Sequence, residues 1–164
     1  MKTLLFSLAF LTATVAGFAQ NTPGNEVTSV MNLDYMNAVQ QKSESTSIGE
    51  LQQQVASWDV RKQKEFDRRQ DLFTVVFKSE NGNIEATFDK NGEIYSTSET
   101  YTNMVLPKKI HRKVMEQFPG WEVVKSKQIL TYKRSQEPEV CYSLKLTQGS
   151  KRKTIRLNEK SEKI

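Results

Sequence analysis

Apolar residues recur at every second position in Ile84, Ala86 and Phe88, and again in Val140, Tyr142, Leu144 and Leu146, whereas Ile110, Val114 and Phe118 fall four apart. The first spacing predicts strands with one buried face, the second a helix with one buried stripe. A second helical stripe runs through Ile48, Leu51, Val55 and Trp58. Ser47 is expected to cap it, with Glu50 reaching back. The β-branched and aromatic run Leu72–Phe77 predicts a strand. Glu80-Asn81-Gly82 predicts a hairpin whose Asn-Gly pair takes positive backbone dihedrals. A turn at Asp89–Gly92 leads into a further strand, Glu93 to about Thr102. Pro107 opens the later helix and Pro119-Gly120 ends it. Strands through Ile129, Leu130 and Tyr132, then Val140–Leu146, then Thr154–Leu157 follow, separated by turns at Ser135–Pro138 and Gln148-Gly149.

This pattern is written twice. Without a gap, Phe73 superposes on Tyr142, Phe77 on Leu146, Ala86 on Ile155 and Phe88 on Leu157, and Asn158–Ser161 stands where Asp89–Gly92 stood. Upstream, Trp58-Asp59-Val60 echoes Trp121-Glu122-Val123, given an insertion in the first hairpin of the second half. The expected fold is α+β: two tandem helix-plus-antiparallel-sheet units, sharing one sheet or forming two. Trp58, Val75, Phe77, Phe88, Val114, Phe118, Trp121, Tyr142, Leu144, Leu146 and Leu157 are the expected core.

The N-terminus changes the picture from fold to address. Lys2, the apolar run Leu4–Leu11 and the small residues before Ala19 predict a secretory signal peptide over residues 1–19, cleaved after Ala19. Residues 20–46 are polar apart from Val30, Met31, Leu33, Tyr35 and Met36, which predicts a linker with one docking patch. The folded domain is expected over 47–164, its halves over 47–104 and 105–164. Export to the periplasm or beyond favours disulfides, yet the chain has one cysteine, Cys141, so apolar burial must stabilise it. No later segment is long and apolar enough to span a bilayer.

Candidate chemistry is sparse. His111, the sole histidine, lies on a helix flank, and Cys141 points away from the Val140, Tyr142 and Leu144 face, so no nucleophile–base pair is expected. One His and one Cys do not make a transition-metal site. Asp89, Asn91 and Glu93 imitate the start of a calcium loop, but Ile94 stands where that loop needs glycine. No phosphate or dinucleotide fingerprint is present, and no cofactor is expected. What remains is a net charge of +5, concentrated in two clusters: Lys108, Lys109, Arg112 and Lys113 on the later helix, and Lys151, Arg152, Lys153 and Arg156 on the last hairpin. They are candidate partner-binding residues or a solvated face. Nucleic acid is a poor fit without a stacking motif.

Leu106-Pro107 opening a helix, Phe118-Pro119-Gly120-Trp121 closing it, the strand Tyr142–Leu146 and the strand–turn–strand Phe88–Ile94 resemble the bacterial exported PepSY-like family, whose fold is similar to the β-lactamase-inhibitor protein. The resemblance covers roughly residues 47–164; Ser161 departs from it, standing where the pattern has a turn glycine. It implies a non-enzymatic protein- or peptide-binding module, inhibitor-like, in the periplasm or outside the cell. No inhibitory residue of that fold matches here, so inhibition of a β-lactamase is not implied. The alternative expectation is an envelope-associated protein that binds an anionic glycan or lipid through the basic clusters.

Overall fold

Residues 31–42 and 45–164 are described by a computed structural model; the expected signal peptide over 1–19 and Val30 of the expected docking patch lie outside them. The alternating runs form six strands, β1 (Leu72–Lys78), β2 (Gly82–Asp89), β3 (Ile94–Thr102), β4 (Glu122–Lys133), β5 (Glu139–Gln148) and β6 (Lys151–Asn158). They make one antiparallel sheet in chain order, so the α+β class holds and both halves share a single sheet. Three helices among the described residues, α1 (Leu33–Gln40), α2 (Thr46–Ala56) and α3 (Lys108–Gln117), lie on one face of it. No helix among the described residues is long and apolar enough to cross a membrane.

Period two explains the core. Ile84, Ala86, Phe88, Leu130, Leu144, Leu146, Ile155 and Leu157 all point to the helical face and are buried, each large side chain contributing about 1.5–3 kcal/mol. Of the expected core, Phe77, Phe88, Val114, Tyr142, Leu144, Leu146 and Leu157 are buried, while Trp58, Val75, Phe118 and Trp121 pack half-buried around it. Trp58 meets Phe77 edge-on at 5.4 Å, closing the border beneath α2.

Three local expectations are corrected. The cap of α2 is Ser45, not Ser47, because the Gly49 N–H already bonds the Ser45 carbonyl and starts the helix earlier. Asn81-Gly82 does not take positive dihedrals. Gly82 belongs to β2, and it is glycine for another reason: a Cβ there would lie 2.5 Å from the ring of Tyr101. Finally, Trp58-Asp59-Val60 does not open a strand as Trp121-Glu122-Val123 does. The Asp59 carboxylate accepts from the Arg61 N–H at 3.2 Å and its guanidinium at 2.8 Å, which closes a 3-10 turn over Val60–Lys62.

The polar segment before α2 also holds structure. Leu33–Gln40 is helical, with Tyr35 and Val39 buried against the sheet. The predicted docking patch divides: Tyr35 points inward, while Met31 and Leu33 point outward.

The internal repeat extends to backbone geometry. The hairpin registers Phe73↔Phe88, Val75↔Ala86 and Lys78↔Asn83 recur, at one offset, as Tyr142↔Leu157, Leu144↔Ile155 and Thr147↔Arg152. The same offset carries Asp89 onto Asn158 and Glu93 onto Glu162, and in both turns the first side chain accepts the N–H of the last, at 3.0 and 2.9 Å. It also carries the Phe88↔Ile94 pair onto the Leu157↔Lys163 bridge. β4 has no strand counterpart in the first half, since the 3-10 turn replaces it. Where the first turn has Gly92 at φ +82°, the second has Ser161 at φ +67°. A side chain in this left-handed region costs about 1–2 kcal/mol, and the Ser161 hydroxyl is buried without a partner. Ser161→Gly is therefore expected to stabilise the protein by about 1 kcal/mol, read as a higher urea midpoint at unchanged slope; a lower midpoint would show that the turn is unstrained.

Candidate functional site

Asn103, at φ +57°, turns the chain out of β3, and its N–H bonds the Ser126 carbonyl at 3.0 Å. The Ser126 hydroxyl returns to the Met104 carbonyl at 2.8 Å, pinning the loop that leads to Pro107. Pro107 caps α3, whose first bond runs from the His111 N–H to the Pro107 carbonyl. Ile110 and Val114 fix the helix on the sheet. Gly120, at φ +77°, then reverses the chain so that Trp121, just before β4, lies beside the loop.

An open cleft of about 710 Å³ lies between these parts. Its walls are Met104, Val105, Leu106, Met115, Trp121, Val123 and Val124, and its rim carries Lys108, His111 and Lys125 against one acid, Glu122. Val105 is 92 % exposed and Val124 60 % exposed, so two large apolar side chains face solvent here. The backbone is open too. β3 pairs with β4 only as far as Thr102↔Lys127, leaving Glu122–Lys125 paired to β5 alone, with an irregular register between Val123 and Lys125. An unpaired strand edge beside apolar side chains is the arrangement by which sheets add an extended peptide.

The predicted basic residues are only partly brought together. Lys108 reaches the cleft rim, and Lys109 and Arg112 are exposed on the same helix. The hairpin cluster is divided by strand alternation. Lys153 lies opposite Leu146 on the helical face, its ammonium 4.9 Å above the Phe118 ring at the end of α3, and Lys151 shares that face. Arg152 and Arg156 lie opposite Thr147 and Ser143 on the other face. The sheet also separates His111, on the helical side, from Cys141, which pairs with Ile129 on the open side. Asp89 uses its carboxylate within the fold: one oxygen accepts the N–H groups of Asn91 and Glu93, the other the Arg134 guanidinium at 2.9 Å. Among the described residues no group of acids, His and Cys stands close enough to hold a metal.

One polar centre escaped sequence reasoning altogether. Glu99 on β3 is fully buried. Its two carboxylate oxygens accept from Tyr35 at 2.9 Å, Thr97 at 3.0 Å, Gln52 at 2.8 Å and Tyr101 at 2.6 Å. Burial pushes the Glu99 carboxyl above the usual range, and the four hydrogen bonds only partly offset it. Burial, and then the facing Glu99 charge, push the Tyr35 and Tyr101 hydroxyls up as well. With no opening to solvent and a donor on every side, this centre ties α1 and α2 to the sheet.

No family model, curated protein or solved structure matches the chain.

Proposed function

We propose that the protein is an exported, non-enzymatic binding module that receives an extended peptide segment of another protein in the cleft between α3 and the start of β4. Support comes chiefly from the unpaired Glu122–Lys125 edge, flanked by exposed Val105 and Val124 and by a cationic rim. Main-chain bonds to that edge supply affinity without sequence preference; Trp121, Met115 and Leu106 accept an apolar side chain; Lys108 and Lys125 favour acidic flanks. The leader-like N-terminus supports delivery to the periplasm or medium. The repeated hairpin supports kinship with the tandem plan of the PepSY-like, β-lactamase-inhibitor-like exported proteins.

Selection of displayed decapeptides on the full chain is expected to enrich alternating apolar sequences with acidic flanks. A Val105→Asp, Lys108→Glu double variant should weaken the selected peptides about tenfold or more, and bound peptide should slow amide exchange at residues 122–125. Peptides held equally well by the double variant, or no enrichment at all, would remove the cleft from consideration.

A further inference from the structure

The face of the sheet without helices carries a charge pattern that the fold does not require. On β5 and β6 that face presents Ser143, Lys145, Thr147, Arg152, Thr154 and Arg156. The first hairpin repeats the same register with Thr74, Val76, Lys78, Asn83, Glu85 and Thr87. Over these matched positions the backbone carries three cations and no acid in the second half, but one cation and one acid in the first; the acid Glu139 shares the open face farther along β5, beyond Ser143 and Cys141. β4 extends the difference: Lys127 continues the row Ser143–Arg156, and Lys125 lies directly opposite Lys145. Like charges facing each other across strands destabilise a sheet. None of Lys127, Lys145, Arg152 and Arg156 stands within ion-pair distance of an acid among the described residues.

We infer that the open face of β4–β6, through Lys127, Lys145, Arg152 and Arg156, is a docking surface for an acidic polysaccharide. Neighbouring strands and alternate residues set these cations on the diagonals of a lattice, the nearest pairs roughly 8 Å apart, which a chain of linked sugar acids can follow and a single small anion cannot. Ser143, Thr147 and Thr154 fill the intervening places with hydroxyls able to bond sugar oxygens. Two other polyanions fit less well. A lipid surface rewards insertion of an apolar patch, whereas the exposed large apolar side chains beside these rows stand singly at their borders, Val124 next to Lys145 and Arg152 and Ile164 at the Arg156 edge, and Leu72 and Val76 lie on β1 at the far edge of the sheet. Single-stranded nucleic acid rewards stacking, and the β5–β6 rows offer no aromatic side chain. None of the four cations lines the cleft proposed for peptide; the two surfaces adjoin at Val124 and Lys125, and the substitutions below fall on one surface or the other.

The test is a titration of the full chain with fluorescein-labelled heparin and with polygalacturonate at two salt concentrations. Phosphatidylglycerol vesicles and single-stranded DNA are parallel arms. Binding to both glycans that weakens with salt is expected, with a loss of about tenfold or more in the Lys127→Gln, Lys145→Gln, Arg152→Gln, Arg156→Gln variant. The corresponding Lys108, Lys109, Arg112 and Lys113→Gln variant should lose less than about threefold, and Val105→Asp should lose nothing. Thermal melts matching wild type show that the variants fold, as expected for exposed positions. Failure to bind either glycan, equal losses in the two charge variants, or preference for vesicles or DNA overturns the inference without touching the peptide cleft.

Discussion

Glu99→Ala is expected to lower the unfolding free energy by at least about 3 kcal/mol, because it strands four buried donors that each cost about 1–3 kcal/mol when unpaired. The donors come from three elements: Tyr35 from α1, Gln52 from α2, and Thr97 and Tyr101 from β3 itself. Helical layer and sheet therefore lose their common anchor in one substitution. Glu99→Gln separates shape from charge. It keeps the volume and one acceptor, and a half-turn of the Gln52 amide brings its buried, unpartnered Oε1 round to meet the new N–H. Below the ordinary carboxyl value of 4.5, this variant should lie within about 1 kcal/mol of wild type.

The pH dependence gives the sharper reading. Burial raises the folded-state pKa of Glu99 above its ordinary 4.5, so between the two values the folded chain holds a proton that the unfolded chain has released. Its contribution is complete below 4.5 and is lost as pH rises toward the folded-state value. Asp89 behaves oppositely. Burial disfavours its charge, but the Arg134 guanidinium and the N–H groups of Glu93 and Asn91 prevail and hold its carboxyl below 3.8. Its contribution is present above 3.8 and is lost as pH falls further. Wild-type stability should thus decline on both sides of the mildly acidic range, and Glu99→Gln should flatten the rising-pH limb alone. Urea midpoints that run parallel for the two proteins from pH 4 to 8 would show that Glu99 does not titrate in this window.

Why Glu99 was invisible in the sequence is a matter of one residue. Thr87 pairs with Ser96 and Phe88 with Ile94, so Tyr95 is an extra residue in β3. Ile94 and Thr97 both point inward across this bulge, and every later residue changes face. Strict alternation from Ile94 would bury Ser96, Ser98 and Thr100 and expose Glu99. Away from this bulge and the irregularity between Val123 and Lys125 alternation held, and the hairpin Phe73–Phe88, its repeat Tyr142–Leu157 and the stripe Ile110–Val114 were all legible. The cleft was half legible. Lys108 stood out by charge, but the unpaired β4 edge depends on where β3 stops, and Asn103 marks that by a backbone conformation its identity merely permits. The hairpin charges were found and their division was not, because clustering along the chain ignores the period-two alternation that sends Lys153 to Phe118 and Arg152 to the open face.

Helix α1 is the element with least claim to exist from local sequence, and Tyr35→Ala is expected to release it. An eight-residue helix is too short to persist alone in water, so its order must come from docking. Docking rests on Tyr35 and Val39, with the Tyr35 ring edge-on to Tyr132 at 5.3 Å and its hydroxyl on Glu99 at 2.9 Å. Around them, Asn32 accepts the Ile94 N–H at 2.7 Å and Lys42 pairs with Glu159 at 3.2 Å. Truncating a buried aromatic ring costs about 3–5 kcal/mol when the surroundings stay in place, which exceeds what Val39 and the flanking polar bonds can hold. The helix should therefore detach before the sheet unfolds. Amide exchange should accelerate over Leu33–Gln40 while the β2, β5 and β6 amides keep their protection, and limited proteolysis should gain a site near Lys42. Tyr35→Phe keeps the ring and loses only the bond to Glu99, costing about 1.5–3 kcal/mol, and should leave α1 docked. If Tyr35→Ala instead lowers protection evenly across helix and sheet, α1 is a cooperative part of the core and not a docked segment.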